Sequence, residues 1–547
     1  MQYKGAKLLI ETLCDLGVDT IFGYPGGAVL DIYDELYLNA HRIRHILSAH
    51  EQGAAHAADG YARVTGKPGV VISTSGPGAT NLVTGIANAY LDSVPLVAIT
   101  GNVGVSLLGK DSFQEVDIVG ITQPIVKHNY IVRDAAQLEH TIREAFQIAT
   151  SGRPGPVLVD IPKSVQTQAA VYKGFSEAKP KPANPMPDLT EAAEAICAAK
   201  RPYIYLGGGV ISGGAEKEAL EFARRISAPI GLSIMGLACI PYNEPLNLGM
   251  CGMHGHYAST VAQSKADLLI ACGVRFSDRA TGNVDKYRAN CRVIHIDIDR
   301  AELGKNVVPD ICLQGDVKAI LTGLLARLQP QQNPEWLAEI EALKQHLPPP
   351  PADTFTPQNI IRAVRRHMPQ DAVIATDVGQ HQMWVAQHYP FTQTRTFLTS
   401  GGLGTMGYGL GAAIGGCIGS GRRRTVHFTS DGSFGMNLNE LATAVSQNLP
   451  IVTVILNNGV LGMVRQWQTI FYQQHYSHTT LCRQTDFVKL AEAFGAQGVR
   501  VTCIRELNAA LESSPDSPLV LDCLIDMDEC VFPMIPPGGC VEDIRIH

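Results

Sequence analysis

Short apolar runs alternate with amphipathic stretches along most of the chain, and the alternation predicts strands and helices in βα order. An apolar-periodic segment over 6–16 predicts a helix, followed by a strand at Thr20–Phe22 and the turn Gly23-Tyr24-Pro25-Gly26-Gly27. Further strands are expected at Ile46–Ser48, Gly69–Ser73, Leu96–Ile99 and Val157–Asp160. A second series opens at Pro202–Leu206 and runs into Gly207-Gly208-Gly209. A third contains Thr425–Thr429 and Ile451–Leu456 with an amphipathic segment between them. Strands alternating with helices imply parallel sheets covered on both faces, so the expected fold class is α/β with doubly wound sheets. Two polar, proline-bearing stretches read as linkers, 166–188 and 329–356, the second with a short helix inside it. They leave units at 1–165, 189–328 and 357–547, which matches about three domains of ordinary size.

Composition narrows the function classes. Acidic residues outnumber basic ones, 51 to 44, and no basic block offsets the resulting net charge of −7, so no grip on nucleic acid is expected. The first eighteen residues, MQYKGAKLLIETLCDLGV, are interrupted by charge and lack a signal-peptide core. No apolar run approaches the roughly 18 residues of a spanning helix, so a soluble cytoplasmic protein without membrane contact is expected. Thirteen cysteines without a CxxC pair, several within apolar runs (Cys197, Cys272, Cys523), read as buried free thiols.

Candidate chemistry concentrates in VHFTSDGSFGMNLNELATAVSQNLPIVTVILNNGVLGMVRQW, from Val426 to Trp467. It reads as strand–helix–strand, with Asp431-Gly432-Ser433 after one strand and Asn457-Asn458 after the next. In a parallel sheet these carboxyl ends lie together where small ligands bind. A carboxylate, an amide oxygen and nearby carbonyls are hard oxygen donors that suit Mg²⁺ shared with phosphate oxygens, and neighbouring amides with Ser433 can hold the phosphates. An ordinary βα turn is the competing reading. In the first unit, Glu51 opens a small-residue helix after Ile46–Ser48, and an acid at such a junction is ordinarily a solvated cap. The glycines of Thr74-Ser75-Gly76-Pro77-Gly78 allow close approach of a ligand or partner backbone. Met463 and Trp467, four apart, also fit a helix's core stripe; Arg275 fits an ion pair, His381 a turn and Lys163 a solvated loop charge. No GxGxxG is present, so the glycines after Pro202–Leu206 establish no Rossmann fingerprint.

Taken in order, FGYPGGAVLDIYD, HEQGAAHAADGYAR, TSGPGATN, DSFQEVD, SGRPGPVLVDIPK, LGMCGMHG, GVRFSDRATG, IDIDRAE, TDVGQHQMW, SGGLGTMGYG and GMVRQWQ closely resemble the catalytic large subunits of acetohydroxyacid (acetolactate) synthases. Those are enzymes of branched-chain amino-acid synthesis that depend on thiamine diphosphate, Mg²⁺ and FAD. The resemblance implies a pyrimidine-binding, a central FAD-binding and a diphosphate-binding domain. It implies decarboxylation of pyruvate and transfer of the hydroxyethyl unit to a second pyruvate or to 2-oxobutanoate, giving 2-acetolactate or 2-aceto-2-hydroxybutyrate.

By the same resemblance, Glu51 serves N1′ of the aminopyrimidine, while Val378, Gly379, Gln380, His381, Gly432 and Ser433 meet the diphosphate. Gly404 and Met406 hold the aminopyrimidine. Asp431, Asn458 and the carbonyl of Val460 bind Mg²⁺. Phe113, Gln114 and Lys163 approach from a neighbouring subunit with Gly23 nearby, Arg275 meets the acceptor carboxylate, and Met463 with Trp467 shapes its pocket. The FAD set is Arg153, Gly207, Gly208, Gly209, Gly252, His254, Arg275, Arg279, Asp297, Ile298 and Asp316. Partners implied are a second copy of the chain, in a homodimer or homotetramer with shared sites; whether a small regulatory subunit joins it is left open by the sequence. The chain departs from the usual family residues at Ser430 (Gly), Gly411 (Pro), Ser277 (Asp) and His256 (Thr or similar); Ser430 would be costly if its position needs positive φ. Pyruvate oxidase, a catabolic acetolactate synthase and a non-catalytic homologue remain alternative readings.

Overall fold

The computed structural model describes all residues except 175–184, 290, 348–350 and 352–353, so parts of both expected linkers lie outside the described residues. Three six-stranded sheets form, every pairing within them parallel. The N-terminal sheet runs Arg44–Leu47, Thr20–Tyr24, Gly69–Ser73, Leu96–Asn102, Pro156–Pro162, His128–Ile131 across its width. The C-terminal sheet runs Phe397–Leu398, Val373–Thr376, Thr425–Ser430, Ile451–Asn457, Leu519–Leu524, Gln497–Val501, which is the same order, 2-1-3-4-6-5 by sequence within each sheet. The central sheet has the order 3-2-1-4-5-6: Asn247–Met250, Ile230–Leu232, Pro202–Leu206, Leu268–Cys272, Arg292–Asp297, Ile311–Gln314. Central strands such as Leu96–Asn102 and Leu268–Cys272 are buried along their whole length, as continuous apolar runs covered on both faces must be.

In such sheets the crevice opens where the winding direction reverses. In the C-terminal sheet that point lies between Val373–Thr376 and Thr425–Ser430, and in the central sheet between Pro202–Leu206 and Leu268–Cys272. Among the expected cofactor residues, 378–381, Gly432 with Ser433, 207–209, and Arg275 with Arg279 follow these four strands.

Helix Glu51–Thr65 of the N-terminal unit packs on helix Tyr408–Gly419 of the C-terminal unit at backbone-to-backbone range. A Cβ at Gly415 would lie 1.7 Å from the Ala57 carbonyl oxygen, one at Gly60 2.2 Å from that of Ala412, and one at Gly411 2.8 Å from that of Gly53. Glycine is therefore required where the family commonly carries proline at 411.

Three expectations change. The stretch 166–188 is not linker throughout: Lys163–Thr167 is helical, and Ala169–Val171 pairs antiparallel with Gln2–Lys4, a partner too distant in sequence for local patterning to reveal. The short helix at Pro334–Lys344 is docked on the central unit, with Trp336 buried and its indole N–H donated to the Pro202 carbonyl at 3.0 Å. Cys272 and Cys523 are buried, but Cys197 is exposed, because its helix buries Ala192, Ala195 and Ile196 instead. Among the described residues no helix is long and apolar enough to cross a membrane.

Candidate active site

At the switch point of the C-terminal sheet, Asp431 opens the short helix Asp431–Phe434 directly after its strand. It is buried, its Oδ1 has no hydrogen-bond partner, and burial pushes its carboxyl up to about 6 against the backbone N–H groups of Gly432, Asp431, Gly459 and Asn458. An unmet buried carboxylate oxygen is costly, and a hard cation satisfies it. Asn458 is buried beside it; its Oδ1 accepts the Val460 N–H at 3.2 Å and its Nδ2 donates to Gln380 Oε1 at 3.4 Å. Among the described residues no three His, Cys, Asp or Glu cluster as a metal site. The donors here are thus one carboxylate, one amide and main chain, a set that fits Mg²⁺ completed by phosphate oxygens.

Ser430 has φ −123°, ordinary extended backbone, and its Oγ accepts the Ser433 N–H at 3.4 Å. Serine is unstrained there and caps the turn. Ser433 is buried and accepts the Gly407 N–H at 3.1 Å, tying the Asp431-Gly432-Ser433 turn to the segment that carries Gly404 and Met406.

The adjacent strand end carries Asp377, Val378 and Gly379, then helix Gln380–His388, whose first-turn N–H groups suit a phosphate. The Gln380 side chain does not have the freedom expected of a diphosphate contact. Its amide donates to Gln466 Oε1 at 3.0 Å and to the Glu529 carbonyl at 2.7 Å, joining Asn458 to helix Gly462–Phe471. His381 is buried with Nε2 unpartnered, and burial lowers it to about 4, so the imidazole is neutral at pH 7. Asp377 accepts from the Gly409 N–H and from Thr429 Oγ1 at 2.6 Å. Burial opposes its charge, but His427 at 3.5 Å together with His381 and Thr429 outweighs burial and holds the carboxyl well below the usual range.

A cavity of about 1190 Å³ opens at the switch point of the central sheet and reaches the C-terminal unit. Arg153, Gly208, Gly209, His254, Arg275, Arg279, Asp297, Ile298 and Asp316 line it, and so do Val378, Gly379, Gly404 and Met463. That size exceeds the usual pocket for one drug-sized ligand and suits a dinucleotide with room to spare. Gly207 and Gly252 stand behind the wall. A Cβ on Gly207 would lie 2.1 Å from the Gly273 carbonyl, and Gly252, at φ +114°, packs on Arg279 and Ala280. Asp297 is buried and pushed up to about 6 by that burial, and His254 is lowered to about 4 with Nδ1 unpartnered. Asp297 Oδ1 accepts the Asp299 N–H at 2.8 Å; the unpartnered His254 Nδ1 beside a dinucleotide-sized space fits FAD. Arg153 is already engaged, to Glu302 Oε1 at 2.6 Å and Ser93 Oγ at 2.8 Å, and Asp316 also caps helix Val317–Leu325. His256 lies outside the cavity with Nε2 on the Gln387 carbonyl, and exposed Ser277 caps helix Asp278–Thr281. Each departure from the family residue thus has a local structural role.

Arg275 is the cavity's notable cation. Among the described residues its guanidinium has no acidic partner within ion-pair distance, and burial, then Arg153, lowers its basicity. The structural ion pair open on sequence alone is absent. Met463 lies partly buried at the cavity; Trp467 does not line it, lying under the Arg279 guanidinium at 5.6 Å with its indole N–H unpartnered.

The N-terminal residues form a separate group: none of Gly23, Glu51, Phe113, Gln114 and Lys163 lines this cavity. Glu51 opens its helix and accepts from Asn81 Nδ2 at 3.0 Å, and the Gly78 Cβ position is 3.2 Å from its Oε1. Gly23 abuts Tyr33 and His45. Gln114, at φ +59°, lies over Gly76, while Phe113 is 88% exposed on a monomer that offers it nothing to cover. Lys163 is exposed and donates to the Gly27 carbonyl at 3.1 Å.

Sequence reasoning missed Glu440. Its carboxylate accepts from His50 N at 2.9 Å, Ala49 N at 3.3 Å and Thr443 Oγ1 at 2.7 Å, bracing the turn before Glu51 from the C-terminal unit. A Cβ at Gly53 would strike it, which accounts for the glycine of HEQGA. A lone glutamate in a helix gives no sequence signal, whereas Asp377 and Asn81 lie within quoted motifs and were legible as positions without roles.

A parallel-sheet crevice with helix-turn N–H donors at its strand ends fits an enzyme that binds a phosphate-bearing cofactor, and family models specify the class. The thiamine pyrophosphate enzyme N-terminal TPP binding domain matches residues 3–121, the central domain 189–324 and the C-terminal TPP binding domain 377–523. The chain is 43% identical to the acetolactate synthase large subunit of Corynebacterium glutamicum, covering 99% of this chain and 90% of that one. It is 43% identical to the acetolactate synthase isozyme 1 large subunit of Escherichia coli (98% and 97%) and 44% to the acetolactate synthase large subunit of Cyanidium caldarium (98% and 95%). The chain belongs to the acetolactate synthase large-subunit family.

Proposed function

We propose that the chain is a catalytic acetolactate synthase subunit. It decarboxylates pyruvate and joins the remaining two-carbon unit to a second pyruvate, giving 2-acetolactate, or to 2-oxobutanoate, giving 2-aceto-2-hydroxybutyrate. Beyond family membership, one observation carries this reading: the unpaired Arg275 guanidinium lines a cavity walled in part by the Val378-Gly379 turn and suits a substrate carboxylate, while the unpartnered Asp431 carboxylate oxygen, at the neighbouring strand end, suits a metal–diphosphate.

Thiamine diphosphate, when bound, supplies the nucleophilic carbon and the electron sink. Asp431, Asn458 and Val460 hold Mg²⁺; the 378–381 turn, Gly432 and Ser433 hold the diphosphate; Gly404 and Met406 support the aminopyrimidine. Glu51 holds a proton at the pyrimidine nitrogen, and its position between Asn81 and the braced turn keeps the carboxyl oriented. Arg275 binds the acceptor carboxylate by charge-assisted hydrogen bonds, Met463 bounds its side-chain pocket, and Trp467 acts on that pocket from behind Arg279. FAD occupies the central cavity in a structural capacity, because the reaction has no net redox change.

Glu51 and its neighbours lie outside that cavity, which supports a site completed by a second copy of the chain through Gly23, Glu51, Phe113, Gln114 and Lys163. A homodimer or homotetramer in the cytoplasm, joined by a small regulatory subunit, is the proposed assembly.

The test is product formation from pyruvate with thiamine diphosphate, Mg²⁺ and FAD, with 2-oxobutanoate as competing acceptor. FAD-dependent acetolactate is expected, with a product ratio that shifts toward acetolactate in Trp467→Leu. Pyruvate-dependent reduction of FAD would favour an oxidase, acetolactate without FAD the catabolic enzyme, and no decarboxylation with cofactor bound a non-catalytic homologue.

A further inference from the structure

A buried ion cluster spans the N- and C-terminal units beside the cavity. Arg63 donates to Asp59 Oδ1 at 2.6 Å and to Asp92 Oδ2 at 2.8 Å, and both carboxylates have fully buried side chains. Asp59 also takes Tyr408 Oη at 2.7 Å and Asn88 Nδ2 at 3.1 Å. Asp92 has a second set of partners: the backbone N–H of Gly401 at 3.1 Å and of Gly402 at 2.7 Å. Asn88 Oδ1 accepts Ser400 Oγ at 2.5 Å, and Ser400 Oγ accepts the Thr405 N–H at 2.9 Å. The 400–405 loop of one unit is therefore held from beneath by side chains of another.

The same loop forms a wall of the cavity beside Arg275. A Cβ at Gly402 would lie 2.9 Å from Asp92 Oδ1 and 3.1 Å from Arg275 Nη2, so the loop packs closely on both the carboxylate and the guanidinium, where glycine leaves room for them. Asp92 is not within ion-pair distance of Arg275, though its charge still favours the charged guanidinium, and Arg275 keeps its donors for another carboxylate.

We propose that Asp92 is a positioning residue for acceptor recognition: by anchoring Gly401 and Gly402 it fixes the cavity wall against which Arg275 presents its guanidinium. This rests on the reading of Arg275 as the acceptor's carboxylate site. Neutralising Asp92 as Asp92→Asn leaves at most one good acceptor oxygen and turns an N–H₂ group toward N–H donors, so the loop is released while the side-chain volume stays the same.

The experiment measures hydrogen exchange of the peptide spanning 399–406 and the KM for 2-oxobutanoate in wild type, Asp92→Asn and Arg63→Lys. Asp92→Asn is expected to expose the Gly401 and Gly402 amides to faster exchange and to raise the acceptor KM by roughly tenfold, the effect of losing hydrogen bonds to a charged group. Pyruvate decarboxylation should change much less. Arg63→Lys keeps a cation in the cluster and leaves Asp92 on the loop, so its exchange and KM stay near wild type. Unchanged exchange in Asp92→Asn overturns the proposal, as does an equal KM rise in Arg63→Lys, which would assign the effect to cluster stability. If the wild type makes no acetolactate, the functional reading fails by itself; loop anchoring is still decided by the exchange measurement.

Discussion

Asp431 carries an electrostatic cost that only a ligand relieves. Its folded carboxyl is pushed up to about 6, above the ordinary value of 3.8, so at neutral pH its ionisation disfavours the folded chain. The sign matters for mutation. Asp431→Asn removes that cost while preserving an oxygen for the surrounding N–H groups, so the thermal midpoint of the cofactor-free protein should stay level or rise. The upward shift that thiamine diphosphate with Mg²⁺ gives the wild type should vanish. Calorimetry with and without the cofactor pair checks both; a cofactor shift retained in the variant would remove Asp431 from the metal site. Glu51 is different: partly exposed and hydrogen-bonded to Asn81, it is not a residue on which the fold depends.

Among the elements, helices Glu51–Thr65 and Tyr408–Gly419 set the relation between Glu51 and the diphosphate-binding sheet. They meet through glycines whose nearest neighbours are backbone atoms, so no rotamer change can make room. Gly415→Ala should lower the thermal midpoint by an amount corresponding to about 2 kcal/mol or more, at the upper part of the overpacking range. Gly421→Ala is a comparison of different origin: nothing lies within 4 Å, but φ is +74°, so its cost is backbone strain alone. A Gly415→Ala variant as stable as wild type would mean that the two helices are not so closely apposed in solution. These elements also show what sequence can reveal. Apolar runs marked the central strands because these are buried on both faces, and strand-end motifs marked Asp431, Asn458 and Gly379 because chemistry and turn geometry coincide there. Glu440 and Asp92 were hidden: each is an ordinary acid in its own segment and acquires its role from backbone N–H groups that tertiary structure brings from another unit. Ala169–Val171 was hidden for the same reason, its partner being Gln2–Lys4.

At the scale of the whole molecule, two similarly wound sheets flank a central one of different winding, and the residues of one proposed active site are divided between cavity and N-terminal unit. A site completed by a second copy accounts for that division and for Phe113 standing 88% exposed. The most direct test is to mix Glu51→Gln and Asp431→Asn chains under conditions of subunit exchange and assay acetolactate. Each variant alone should be inactive. In a mixed dimer the Glu51 of one chain meets the Asp431 of the other at one intact site, so an equimolar mixture should recover about a quarter of wild-type activity by random pairing. No recovery, with mixed dimers demonstrated by mass, would contradict a site shared between two copies.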